Sequence, residues 1–172
     1  GINLAAPAGG VYGFFIAKLD ASGNTVWAKK TGGNSASKGN AIKADNNGNV
    51  YVTGEFQLAN VAFGSITLTN AGSINFFLVK YDTDGNIIWA KQAGGSESDE
   101  GSSIGLDVTG NIFVTGNFAN TISLGTTTLT TPGFFIAKYD GAGNVMWAKS
   151  TNDSGANGGY TAVDNTGSVY VT

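Results

Sequence analysis

Carboxylates standing in front of glycine are the most repeated chemistry-bearing residues of this chain. Asp-x-x-Gly-Asn/Ser opens at Asp20, Asp45, Asp82, Asp107, Asp140 and Asp164. Calcium takes oxygen ligands at alternate positions of a tight loop. Asp82-Thr83-Asp84-Gly85-Asn86 comes nearest to such a loop. The other five copies lack the second Asp, and no Glu stands where an EF-hand would need it. The motif therefore reads first as turn chemistry. Asp at the first turn position bonds the backbone two residues on, and Gly at the fourth accepts a left-handed conformation. Asp82 and Asp84 stay as candidate metal ligands.

A second acidic group, Glu97-Ser98-Asp99-Glu100, lies in a stretch rich in Gly and Ser. The corresponding stretches elsewhere carry Lys38 and Asp153 instead. Variable loops on a constant scaffold are where binding usually resides. Glu97, Asp99 and Glu100 are thus the first place to look for calcium or a partner. The plain alternative is a solvated loop.

Trp27, Trp89 and Trp147 each follow a turn Gly by four residues. They fit a sugar-stacking platform or a wedge between sheets. The wedge is the expectation, because aromatic rings bury the most area and dominate cores. Lys18, Lys29, Lys80, Lys91, Lys138 and Lys149 also keep fixed places. Such a stripe could hold an acidic polymer. However, Asp20, Asp82 and Asp140 lie two residues from three of these lysines, so charge compensation along one strand face is expected. Lysine also guards strand edges against aggregation.

Absent residue types narrow the chemistry. The chain has no His, Cys or Arg. A Ser-His-Asp triad, a Cys nucleophile, a His/Cys zinc site and a disulfide are all excluded. The net charge of −3 without Arg removes the usual footprint of nucleic-acid binding. No apolar run approaches the roughly 20 residues of a membrane-spanning helix. No catalytic residue and no cofactor site is assigned, and the protein is expected not to be an enzyme.

The elements that carry these residues are short strands. Runs rich in Phe, Ile, Val, Tyr, Trp and Thr flank each turn, as strands prefer. Hairpins are predicted at 14–20/24–30, 41–45/49–56, 76–82/86–92, 103–107/111–118, 134–140/144–150 and 160–164/168–172. The whole pattern repeats. Phe14-Phe15-Ile16-Ala17-Lys18-Leu19-Asp20 returns at Phe76 to Asp82 and at Phe134 to Asp140. Asn49-Val50-Tyr51-Val52-Thr53-Gly54 returns at Asn111 to Gly116 and, in part, at Ser168 to Thr172. Two hairpins per unit of about 60 residues make four-stranded antiparallel β-propeller blades. An open β-solenoid or a linear array of small sheets is the alternative, but solenoid coils repeat at about 20–30 residues. The fold class is all-β, an incomplete propeller of just under three repeats. The units run approximately over 1–40 (partial), 41–102, 103–159 and 160–172 (partial), all within one propeller segment, 1–172.

The run Phe-Phe-Ile-Ala-Lys-Tyr-Asp-x-x-Gly-Asn-x-x-Trp-Ala-Lys, then Asp-x-x-Gly-Asn-Val-Tyr-Val-Thr-Gly-x-Phe, resembles the bacterial SBBP-type β-propeller repeat. The resemblance covers nearly the whole chain. It implies multi-bladed propellers in large secreted or surface proteins, often of Bacteroidota. It brings no catalytic residues with it. The expected function is a non-enzymatic scaffold or adhesion module at the cell surface or outside the cell, as a fragment of a larger secreted repeat protein. The alternative is a carbohydrate- or calcium-binding, lectin-like propeller. The expected partners are further blades of the same longer chain or other copies of itself, with a surface glycan or protein as a possible ligand. No nucleic acid and no membrane span are expected.

Overall fold

Alternating apolar residues closed by Asp-x-x-Gly turns dictate hairpins, and hairpins are what form. A computed structural model describes residue 4, residues 12–151 and residues 159–172. The beginning of the first expected unit and Asp153 lie outside the described residues. Among those described there are strands and no helix, so none is long and apolar enough to cross a membrane.

The first hairpin pairs β1 (Phe15–Leu19) with β2 (Thr25–Lys30). A whole sheet follows. It holds β3 (Gly32–Ala44), β4 (Val50–Phe63), β6 (Ile74–Tyr81) and β7 (Ile87–Ala93) in the order β3-β4-β6-β7. The short β5 (Ile66–Thr69) folds back on the far half of β4. A second whole sheet repeats the design with β8 (Asp99–Leu106), β9 (Ile112–Phe118), β12 (Gly133–Tyr139) and β13 (Val145–Ser150). There β10 (Ile122–Leu124) and β11 (Thr127–Leu129) make a small hairpin where β5 stood. Last come β14 (Thr161–Val163) and β15 (Val169–Val171), paired with each other. All named pairs are antiparallel. The six expected hairpins are present, and the two whole sheets are four-stranded blades with small additions. The propeller is not closed.

Each outer hairpin carries the same bulge, at Lys18/Leu19, Lys80/Tyr81 and Lys138/Tyr139. It sits one residue before the turn Asp. The turn Gly supplies the positive φ that such a bulged turn needs, 75° at Gly85. The bulge keeps the strand twisted and fixes register beside the turn.

Period-two alternation explains why the strands read as apolar on both faces. Phe77, Val79 and Tyr81 of β6 pack with Ile16 and Trp27 of the first hairpin. Their neighbours Phe76 and Leu78, with Tyr51, pack with Phe135, Ala137 and Tyr139 of the second sheet. The first whole sheet is thus filled on both sides. Phe77 lies parallel to Phe14 at 5.4 Å and tilted on Phe63 at 5.0 Å. Phe76 meets Phe135 edge-on at 5.8 Å across the sheet boundary.

Candidate functional site

The six turn aspartates share one hydrogen-bond pattern. At Asp82, Oδ1 accepts from the amides of Asp84 (2.9 Å) and Asn86 (2.8 Å), and Oδ2 accepts from the Asn86 side chain at 3.0 Å. Asp20, Asp45, Asp107 and Asp140 repeat it with Asn24, Asn49, Asn111 and Asn144. Asp164 substitutes Thr166, which donates to Oδ1 at 2.7 Å. These donors favour the ionised form. The Asn86 amide, then its side chain, hold Asp82 below its ordinary value. Burial works against Asp107, yet the Asn111 and Thr109 donors bring it down to about 2. The Thr166 hydroxyl brings Asp164 down to about 2 as well. Asp82 therefore spends its lone pairs on its own turn, and Asp84 stands exposed beside it.

The tryptophans are wedges with a specific seat. Trp27 Nε1 donates to the Thr83 carbonyl of the next sheet's turn at 2.9 Å. Its ring lies so close over Gly85 that a Cβ there would stand 2.8 Å from it. Only Gly tolerates both that contact and the positive φ. Trp89 does the same one sheet on, reaching the Gly141 carbonyl at 3.3 Å beside Gly143. Trp147 packs edge-on against Phe113 at 6.1 Å.

The lysines correct an expectation. Lys18 and Lys80 do not pair with the aspartates two residues on, whose oxygens are taken by their own turns. Lys18 Nζ donates to the Thr83 carbonyl at 3.2 Å, and Lys80 Nζ to the Gly141 carbonyl at 3.4 Å. Each joins the Trp of its own hairpin on one carbonyl of the following turn. Charge compensation does exist, but between sheets: Lys29 acts on Asp82 and Lys91 on Asp140. Lys138 differs and pairs with Asp107 at 3.6 Å.

The acidic loop is not a uniformly solvated one. Glu97 and Ser98 are exposed, but Asp99 is only 1% exposed and Glu100 is half-buried. The loop runs between the sheets, with Ser73 donating to the Ser96 carbonyl and Ala119 to the Ser98 carbonyl. Asp99 Oδ2 accepts from the Gly95 amide at 2.7 Å, while Oδ1 has no partner among the described residues. Asn75 Oδ1 is buried and, among the described residues, unpartnered as well. A Cβ on Gly94 would stand 2.5 Å from Asn75 Oδ1 and 3.1 Å from Asp99 Oδ2, so the two side chains share one small space. Burial pushes Asp99 up to about 6, against the Gly95 donor and with help from Glu97. Nearby, Glu55 shares a hydrogen bond with Glu100. Burial first, then that carboxyl, raise Glu55, and Lys38 opposes them.

The structure thus separates the metal candidates. Asp82 and Asp84 sit at one end of β7, and Glu97, Asp99 and Glu100 beyond its other end, roughly 20 Å away at strand rise. Among the described residues no three or more acidic side chains gather as a metal would require. Two residues that matter went unmarked in the sequence. Asn75 carried no signal, since Gly13 and Gly133 hold its place in the other repeats. Glu55 had one weak signal, a carboxylate where the next repeat has Asn117.

The beta-propeller repeat family SBBP matches residues 26–55 and 88–117. Each match runs from the Trp hairpin across the acidic-loop position into the second strand of the next sheet. An uncharacterized WD repeat-containing protein of Acanthamoeba polyphaga mimivirus is 29% identical over 115 residues, 63% of this chain and 8% of that protein. The chain spans a small part of that relative's length. Four-stranded blades, Trp-on-turn docking at a period of about 60 residues and both family matches agree: residues 26–55 and 88–117 match the SBBP beta-propeller repeat, twice within one all-β chain.

Proposed function

We propose that the chain is a non-enzymatic propeller scaffold of a larger secreted or cell-surface protein, a rigid spacer that presents loops for adhesion. One observation carries this reading. The side chains that recur in every repeat, and that could do chemistry, are used to hold the fold. The turn aspartates accept from their own turns, and Trp27 and Trp89 are seated on the turns of the next sheet. The lysines beside them reach the same carbonyls. A lectin-like reading would need recurring aromatic rings with open faces, and these two are covered.

Binding to a glycan array, with tryptophan fluorescence titrated by sugars and by calcium, tests the reading. The expected result is no saturable change with either. Quenching by a sugar class would replace the scaffold with the lectin-like alternative. Antibody labelling of intact source cells tests the surface location, and labelling only after lysis would overturn it.

A further inference from the structure

Two pockets repeat one another where consecutive sheets meet. The first lies between β2, the tip joining β4 to β5, and the end of β6 with its turn. The second lies one repeat on, between β7, the tip joining β10 to β11, and the end of β12 with its turn. They measure about 340 and 350 Å³, at the low end of the roughly 300–1,000 Å³ of small-ligand sites. Their linings correspond. Lys29, Tyr81 and Ile87 in the first are Lys91, Tyr139 and Val145 in the second. Their tips are built alike too. Gly64 and Gly125 share a φ of 59°, and a Cβ on either would stand 3.2 Å from the Ile87 or Val145 side chain. Each tip therefore rests on that apolar wall.

Each pocket holds one buried donor with nothing to donate to. Tyr81 is 5% exposed and Tyr139 2%. Among the described residues neither hydroxyl has a hydrogen-bond partner, and burial alone pushes both phenols up. Neither hydroxyl is fully enclosed, so the little that each leaves open faces the pocket it lines. Buried polar groups are normally paired, and an exception needs a reason. A gap left only by packing would be served as well by Phe at both places. The charged side chains that line the pockets are all lysines, Lys29 and Lys30 in the first and Lys91 in the second. Lys91 is laid across the turn, its Cε 2.9 Å from where a Gly143 Cβ would stand. Asp82 and Asp140 lie within electrostatic reach of Lys29 and Lys91. Their oxygens, however, are held by their own turns.

We propose that each pocket binds one carboxylate on a short aliphatic stem, as carried by a glutamate side chain of a partner protein or by a small free acid. The lysine ammonium and the tyrosine hydroxyl are two donors for its two oxygens. Hydrogen bonds to a charged acceptor are the stronger kind, and one of them satisfies the orphan phenol. The stem lies against Ile87 or Val145. One recurring cation suits one negative charge, which favours a carboxylate over a doubly charged phosphate. For an adhesion scaffold this puts binding between the blades and not only on the loops.

This deepens the scaffold reading and rests on it, and the two fail separately. Methyl NMR of the protein gives each pocket its own reporter, Ile87 in the first and Val145 in the second. Butyrate, titrated at constant ionic strength and neutral pH, is expected to shift both saturably. Its uncharged analogue butyramide is expected to shift neither. Tyr81→Phe should weaken the Ile87 response about tenfold or more and leave that of Val145, and Tyr139→Phe should do the reverse. Neither substitution removes a hydrogen bond of the fold, so both variants should keep the wild-type circular dichroism and unfolding curve. Lys29→Met and Lys91→Met should act with the same pocket selectivity. A capped Gly-Glu-Gly peptide that shifts both methyls, with its Gln counterpart silent, assigns the carboxylate to a partner's side chain. A response to butyrate alone assigns it to a free acid. No saturable shift with either probe, an equal response to butyramide, or a Tyr81→Phe that leaves the Ile87 response intact would each overturn the pockets and leave the scaffold standing. Sugar quenching of tryptophan would remove the scaffold reading without touching these methyl shifts.

Discussion

The first two junctions between consecutive sheets share an outer half and differ in their inner half. Outside, both use one Trp and one Lys on a carbonyl of the next turn, at Thr83 and at Gly141. Inside, the first junction buries a hydroxyl pair, Thr31 and Ser37 at 3.0 Å. The second buries Asn75 and Asp99, with an unpartnered oxygen on each. Ser37 and Asp99 hold the same place in successive repeats. The outer contacts set how one sheet stacks on the next. The inner polar pair is free to vary and sets how the joint responds to its surroundings.

The largest expected effect tests what the junctions have in common. Phe77 and Phe135 are fully buried at equivalent positions, each ringed by two aromatic partners. Truncating either to Ala should cost about 3–5 kcal/mol, from lost transfer energy and a residual cavity. Urea unfolding followed by circular dichroism measures it. If Phe77→Ala costs much less than Phe135→Ala, the two junctions are not built to one plan.

The next effect separates them. Asp99 is raised from 3.8 to about 6 when folded. Between those values the native state holds a proton that the unfolded chain has released. Its contribution is complete below about pH 4 and is lost as pH rises through 6. The loss amounts to about 1–3 kcal/mol. One proton on Asp99 Oδ1, shared with Asn75 Oδ1, would satisfy both orphan oxygens. Asp99→Asn keeps an acceptor for the Gly95 amide and adds a permanent donor. It should flatten most of the decline between pH 4 and 7 and exceed wild type above pH 7. Some slope will remain, because Glu55 is also raised. Thermal unfolding from pH 4 to 8 reads this, and parallel wild-type and variant profiles would end the idea. The turn aspartates act with opposite sign. They are lowered, so their stabilisation is lost only as pH falls through about 2 to 4.

A smaller effect probes the outer half. Trp27→Phe removes the bond to Thr83 and part of the ring over Gly85. It should cost about 1–2 kcal/mol, one hydrogen bond plus lost apolar area. Trp89→Phe should cost less, since its bond is longer at 3.3 Å and its ring less covered. The same urea curves decide the order, and a reversed ranking would mean the indole bond is not what seats the wedge.

Sequence showed most of the framework because the framework is local. An Asp-x-x-Gly-Asn turn closes within five residues, so all six hairpins could be read. Trp27 could be read as a wedge, but not its seat, because Thr83 lies 56 residues away. The lysines were misassigned for a related reason. Asp20 is near Lys18 in the chain, yet its oxygens were already committed to Ser22 and Asn24. Neither reading of the acidic loop in the sequence, a calcium or partner site or a solvated loop, foresaw a buried Asp99. It shares its small space with Asn75 of β6, a neighbour that loop composition does not report.

The smallest effect closes the comparison. Ser37→Ala removes one member of the first junction's hydroxyl pair. Thr31 is not orphaned by it, since its Oγ1 also reaches the Phe14 carbonyl at 3.3 Å. The cost is therefore that of one neutral hydrogen bond with its donor re-satisfied, about 0.5–1 kcal/mol. Neither hydroxyl titrates, so the cost should be the same at pH 4 and pH 8. Thermal unfolding at both values checks it. A pH-dependent Ser37→Ala would show that charge reaches the first junction as well. A flat one, beside a sloping Asp99→Asn difference, locates the pH response in the second junction, where the same repeat position holds an acid instead of an alcohol.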